Sequence, residues 1–317
     1  MKIKVPQSKS IKPKVVVILG PTASGKTALG VKLAQIFNGE IISADSRQVY
    51  RGMDIGTGKD LSEYKIGRNN IPYHLIDIIQ PNTKFNLARY QKLALKAINE
   101  VISRGKLPIV VGGTGLYLQA IADNYHLSEI KINSKKRLEL EKKTRVQLLE
   151  ELTALKPEFV AQLNNSDKNN PRRLIRYIEI ISGSGEMVQR KGKSLFDFLI
   201  LGIEISDEKM KSKIVSRLNN RLDREEMIAE VKSLKEAGVS FRRLISFGLE
   251  YKFISYFLQD KISREEMVEK LGNAIYRFAK KQKTWFRRWE KQGRVINWIA
   301  DIDAATKKIK TFLKTSD

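Results

Sequence analysis

Short apolar runs alternate with amphipathic stretches through the first part of this 317-residue chain. "KVVVILG" (14–20) is a continuous β-branched run closing on glycine, the pattern of a strand buried on both faces. "KTALGVKLAQIF" (26–37) then places Leu29, Leu33, Ile36 and Phe37 along one helical face. "GEIISADS" (39–46) predicts a second strand running into a polar turn, and "YHLIDII" (73–79) a third. "NLARYQKLALKAINEVISRG" (86–105) predicts a helix stopped by Gly105, and "LPIVVGGTG" (107–115) another buried strand ending in glycines. Strand and helix in turn are the grammar of a doubly wound, parallel α/β sheet.

The pattern changes from about 127 to 195. Charged helical stretches, "SKKRLELEKKTRVQLLEELTAL" and "PRRLIRYIEIISG", flank a polar break, "NNSDKNN". Buried-strand character returns in "FDFLILGIEIS" (196–206) and again in "RVINWI" (294–299). Long amphipathic helices lie between, including "KIVSRLNNRLDREEMIAEVKSLKEAG" and "EEMVEKLGNAIYRFAKKQKTWFRRWEKQG". The organisation expected is an α/β core in two parts, 1–126 and 196–317, the second with the C-terminal helices, interrupted by a helical insertion over 127–195.

Composition adds two constraints. No apolar stretch reaches the roughly 18 residues of a membrane span, and the basic N-terminus "MKIKVPQSKSIKPK" lacks the apolar segment of a secretory signal. Cysteine is absent, which excludes disulfides and cysteine metal sites and fits a reducing compartment. No membrane partner and a bacterial cytoplasmic location are the resulting expectations. The formal charge is +24, spread as +10 over 1–126, +5 over 127–198 and +9 over 199–317. A distributed excess favours a polyanion that contacts much of the surface, nucleic acid first; a generally lysine-rich composition is the alternative.

"GPTASGKT" fits G-x-x-x-x-G-K-[ST] and lies between a predicted strand and a predicted helix, the context the motif requires. Gly20, Pro21, Thr22, Ala23, Ser24, Gly25, Lys26 and Thr27 thus form a phosphate loop. Its N–H groups and helix N-terminus face phosphate oxygens, Lys26 adds a point charge, and Thr27 holds Mg²⁺. An ATPase would normally end a second buried strand in a metal-binding Asp. Here that strand ends in Gly112, Gly113 and Thr114. Asp77 is a possible substitute flanked by apolar residues, whereas Asp45 stands at the carboxyl end of strand two, where open α/β sheets bind ligands. Position alone leaves Asp45 either a catalytic group or the cap of a helix begun by "SRQVYRG".

Taken together, "GPTASGKT", "EIISADSRQVYRGMDIGTGK", "PYHLIDI", "PIVVGGTGLYLQA", "PRRLIRYIE" and "RFAKKQKTWFRRW" resemble the tRNA dimethylallyltransferases, the isopentenyl-tRNA transferases, in order and over nearly the whole chain. The resemblance implies a P-loop NTPase-like core. It also implies transfer of a dimethylallyl group from dimethylallyl diphosphate to N6 of the tRNA adenosine 3′ of the anticodon, with Mg²⁺ and release of diphosphate. By position it makes Asp45 the general base, and it puts Thr22 on the diphosphate, Thr114 near the reacting base and Arg217 behind the departing diphosphate. It assigns tRNA contacts to Asp45, Ser46, Arg47, Gln48, Thr114, Arg137, Arg172, Arg173, Leu174, Ile175 and Arg176. The insertion then grips the anticodon stem-loop, and a monomer is the expected state.

Trp285, Phe286 and Trp289 are read as core and His74 as structural. Where many members have a Gly-Tyr-basic motif this chain has "ISFGLEYKF", and the insertion is entered through "SEIKINSKK" instead of a proline-rich segment. A P-loop kinase for a nucleoside-like substrate and a non-enzymatic RNA-binding protein are the rival readings.

Overall fold

The computed structural model describes residues 12–127, 133–184, 190–223 and 225–315. The basic arm before residue 12 and much of the "SEIKINSKK" segment lie outside them. The chain divides into two compact units, Met1–Asp123 with Ser194–Asp317, and Asn124–Lys193.

The larger unit is built on six parallel strands: β1 (Lys14–Leu19), β2 (Gly39–Ser43), β3 (Tyr73–His74), β4 (Leu107–Gly112), β5 (Asp197–Ile203) and β6 (Asn297–Ile299). They run in the order β6-β5-β1-β4-β2-β3. β1 is central, with Val16 opposite Ile109 of β4 on one side and Leu199 of β5 on the other. Val15 through Leu19 are all buried, as a strand covered on both faces must be.

Side-chain alternation divides the apolar content between the faces. Val15, Val17 and Leu19, with Val110 and Ile200, meet helices α2 (Leu87–Ser103) and α3 (Gly115–Ala122). Val16, Ile18, Ile109 and Leu201 meet α1 (Lys26–Ile36) and the C-terminal helix, α8 (Ile302–Lys314). A third apolar cluster joins α4 (Asp207–Asp223), α5 (Glu226–Glu236), α6 (Leu249–Phe257) and the long α7 (Arg264–Lys291) to Val49, Tyr50 and Met53. The far end of α7 returns to the first cluster through Phe286 and Trp289, both fully buried, while Trp285 is half-buried over Gly115.

Several local expectations need correction. α1 buries Gly30, Val31, Leu33 and Ala34, and Ile36 is 51% exposed. The packing face is rotated because Gly30 lies against Val111, whose Cγ2 would be 2.7 Å from an added Cβ. "YHLIDII" pairs as a strand over two residues only, since Leu75 (φ 64°) and Asp77 (φ 55°) turn the chain out of the ladder. The helix read over 213–238 is two, α4 and α5, separated by Glu225 at φ 54°.

In the smaller unit Ser134–Glu141, Arg145–Leu155, Pro157–Gln162, Asn165–Lys168 and Pro171–Ser184 are helical. The polar break "NNSDKNN" is thus partly a helical turn, started by the Asn164 side chain accepting from Asp167 N–H. Leu140, Leu148, Leu152, Leu174, Ile175 and Ile178 form its own core. Its two chain ends pair antiparallel, Tyr125–His126 with Arg190–Lys191. Among the described residues no helix is long and apolar enough to cross a membrane.

Candidate functional site at the phosphate loop

Three neighbouring strands, β1, β4 and β2, deliver the phosphate loop, Thr114 and Asp45 to one edge of the sheet. The approach is close. A Cβ on Gly112 would lie 2.2 Å from the Ala44 carbonyl oxygen, so only glycine lets the end of β4 reach the turn after β2. One cleft is lined by Thr22, Lys26, Thr27, Asp45, Gln48, Glu63, Arg217 and Gln282, among others.

The loop enters the left-handed region at Ala23 (φ 61°), which strains a residue with a Cβ, and at Gly25 (φ 87°), which glycine adopts freely. Gly25 caps α1 with no side-chain bond, leaving the helix N-terminus for a ligand. Pro21 has no N–H, and the Thr22 N–H is donated to Gln282 Oε1 at 2.8 Å, so fewer loop amides are available to an anion than the motif suggests. Ser24 Oγ is buried without a hydrogen-bond partner. Lys26 Nζ donates to the Pro21 carbonyl at 3.3 Å. Burial pushes its ammonium down to about 8, with Asp45 and Glu63 opposing the shift and Arg217 adding to it.

Asp45 Oδ1 accepts from Arg47 N–H at 2.9 Å and from Gln48 N–H at 3.4 Å, closing a turn; no helix follows at "SRQVYRG". Thr114 stands at the start of α3 but its side chain does not cap that helix. Its Oγ1 accepts instead from Ser46 N–H at 3.1 Å, tying the β4–α3 turn to the Asp45 segment. Asp77 is engaged elsewhere, with the fully buried Lys59 ammonium.

Arg47 is half-buried, with Nη1 2.5 Å from Glu250 Oε2. Burial works against its charge, but Glu250 and Asp45 outweigh that and hold the guanidinium above its ordinary range. Gln48 accepts from the Ser43 hydroxyl at 3.1 Å and donates to the Gly58 carbonyl at 3.5 Å. Arg217 enters the cleft from α4, so close to Gly58 that a Cβ there would lie 1.8 Å from its Nη2. Burial lowers its pKa, partly offset by Glu250 and Glu63.

One turn along α4, Arg221 lies in an adjoining cavity with Arg217, pushed down to about 10 by burial and by Arg217. The i, i+4 spacing with Arg217 was the available signal for Arg221. Burial raises the Glu63 carboxyl, reinforced by Asp60 and opposed by Arg217 and Lys26. Glu230 accepts from the N–H groups of Asp54, Ile55 and Gly56 at 2.7, 2.6 and 3.1 Å and from the Tyr251 hydroxyl, fixing the segment that leads to Gly58. Nothing in the sequence marks Glu230, Glu250 or Gln282 for these tasks.

The remaining expected residues belong to the smaller unit. Arg137 and Arg176 both approach the buried Glu179, at 3.4 and 3.3 Å. Arg173 pairs with Asp167 at 2.6 Å, and Arg172 is exposed. Leu174 and Ile175 are buried in that unit's core, so their side chains are not available to an RNA. Among the described residues no three His, Cys, Asp or Glu form a group able to hold a metal.

Fold and site together define a P-loop α/β protein with a carboxylate, Asp45, lining the same cleft as the loop. The family model for IPP transferase matches residues 48–289, and the chain belongs to that family. It is 44% identical over 306 residues to a tRNA dimethylallyltransferase 1 of Syntrophus aciditrophicus, covering 95% of this chain and 99% of that one. It is 46% identical over 287 residues to a tRNA dimethylallyltransferase 2 of Syntrophotalea carbinolica, covering 90% and 93%. Among solved structures, a tRNA isopentenylpyrophosphate transferase from Bacillus halodurans matches with TM-score 0.68 at 34% identity over 95% of this chain and 96% of that one. A eukaryotic dimethylallyltransferase acting on tRNA matches with TM-score 0.79 at 26% identity over 96% and 80%.

Proposed function

We propose that this protein transfers the dimethylallyl group of dimethylallyl diphosphate to N6 of the tRNA adenosine 3′ of the anticodon and releases diphosphate. The observation that supports this most is one cleft holding both a phosphate loop and Asp45, in a chain of the IPP transferase family. In the reaction the C1–O bond to the diphosphate breaks, the N6–C1 bond forms, and the N6 proton leaves. Lys26, the loop amides and the guanidiniums of Arg217 and Arg221 stabilise charge developing on the departing diphosphate. Asp45 accepts the proton through its carboxylate. Thr114 keeps Asp45 in place by holding Ser46 N–H. The adenine leaves its stack to reach the cleft.

Thr27 would hold Mg²⁺ through its hydroxyl, and a site without a carboxylate cluster among the described residues suits that ion, which needs few protein ligands. Such an ion would add positive charge to the leaving group. In the smaller unit, Arg137, Arg172, Arg173 and Arg176 are proposed to meet the phosphates of the anticodon stem-loop.

The test is nucleoside mass spectrometry of unmodified tRNA after incubation with the pure protein, Mg²⁺ and dimethylallyl diphosphate, against a parallel incubation with labelled ATP. A prenylated adenosine is expected. Phosphorylated product from ATP and none from the prenyl donor would instead establish the kinase.

A further inference from the structure

Gln282 is 7% exposed, in the middle of α7, and its amide joins two segments far away in sequence. Oε1 accepts the Thr22 N–H at 2.8 Å and Nε2 donates to the Gly113 carbonyl at 2.8 Å. Only this orientation of the amide satisfies both partners, because an N–H requires an acceptor and a carbonyl a donor. The fit is tight: a Cβ on Gly113 would stand 2.4 Å from Nε2. The connection extends further. Next to Gly113, Thr114 donates its N–H to the Ala44 carbonyl at 3.2 Å and accepts Ser46 N–H on its hydroxyl. Gln282 is therefore the link between the phosphate loop and a path that runs through Gly113 and Thr114 to the turn closed by Asp45.

We infer that Gln282 is a positioning residue that fixes the distance between the leaving-group cradle and the base. This rests on the function proposed above. Gln282 need touch neither reacting group; its amide sets where the loop ends and withdraws one loop N–H from the anion. A neutral side chain is required, since a carboxylate here would meet the Gly113 carbonyl without a proton to share and would oppose the diphosphate. Displacements of about 1 Å in such a frame cost up to roughly 100-fold in rate.

The experiment compares the parent with Gln282→Met, which fills the space without hydrogen bonds, and Gln282→Glu, which restores both bonds only when protonated. Three quantities are read: kcat and KM for each substrate across pH 5.5–8.5 (about 3 units, the range to which burial raises a carboxyl), diphosphate affinity by calorimetry, and the melting temperature. For Gln282→Met, kcat is expected to fall roughly 10- to 100-fold, with KM for tRNA within about 2-fold of the parent and diphosphate bound roughly 10-fold more weakly, because the lost placement of the loop outweighs the one N–H set free. For Gln282→Glu, kcat is expected to rise toward the parental value as the pH falls, a limb absent from the parent. Parental kcat and diphosphate affinity in Gln282→Met, or a Gln282→Glu profile parallel to the parent's, would overturn the inference. If Gln282→Met does not fold, the Gln282→Glu profile decides. A parent that binds diphosphate but prenylates no tRNA would sink the proposed function, and the calorimetric comparison would still read the positioning role.

Discussion

Lys26 keeps its ammonium where little water can stabilise the charge, which is why its pKa falls to about 8 from 10.5. In the free protein this opposes folding below pH 8, and the penalty lifts between pH 8 and 10.5, where the folded chain releases its proton before the unfolded one. A bound diphosphate reverses the balance by supplying the missing counter-charge. Diphosphate affinity measured by calorimetry is therefore expected to fall as the pH rises from 7 through 9, with proton uptake on binding near pH 8. Lys26→Met should bind weakly and lose that dependence. Asp45 makes a complementary prediction. Asn at position 45 can still accept the Arg47 N–H, so the turn and tRNA affinity are expected to survive in Asp45→Asn. Prenyl transfer should drop by about 10²–10⁴ as the base disappears. Unchanged turnover in that variant would remove Asp45 from the chemistry.

Between elements, the opposite part of the sheet is tied by a charge cluster centred on Glu40 of β2. His74 of β3 lies 2.7 Å from Glu40 Oε2, and Arg104 and Lys106, which lie between α2 and β4, approach at 2.6 and 3.2 Å. Burial alone would push the Glu40 carboxyl up, but the hydrogen bonds from Arg104, His74 and Lys106 hold it at about 2. Its contribution to stability is present above the ordinary carboxyl value of 4.5 and lost as the pH falls toward 2. Glu40→Gln should cost about 3 kcal/mol at pH 7 in urea unfolding, and the difference from the parent should shrink at pH 3.

Such cross-element partners explain what could be read in advance. β1, β2, β4 and β5 announce themselves as apolar runs because both their faces are covered. The loop motif, with Asp45 at a strand end, places two parts of the cleft from local pattern alone, while Thr114 enters through the family resemblance. Gln282, Glu230 and Glu250 are ordinary polar residues on helices, and their tasks exist only through partners across the fold. The two-residue β3 and the break at Glu225 turn on single backbone torsions, to which hydrophobic periodicity is blind.

Over the whole molecule the +24 charge is the dominant long-range property. Each tRNA phosphate neutralised releases counterions, so log K should fall linearly with log salt. About six contacts would lower affinity roughly 10³-fold between 50 and 200 mM salt. A filter-binding or fluorescence titration reads the slope, and a flat one would mean that the excess charge serves no RNA. Prenyl transfer at saturating tRNA should respond far less, because the cleft charges are partly withdrawn from solvent and lie close together.

The place of β1 between β4 and β5 also sets an order of events during synthesis. Residues 124–193 pack on themselves and join their ends through Tyr125–His126 and Arg190–Lys191, so this lobe needs nothing made after it. β1 does: one of its edges has no neighbour until Asp197–Ile203 has left the ribosome. A nascent chain stalled at the end of the lobe would therefore present an unpaired apolar strand edge, the kind of surface that recruits chaperones or seeds aggregation.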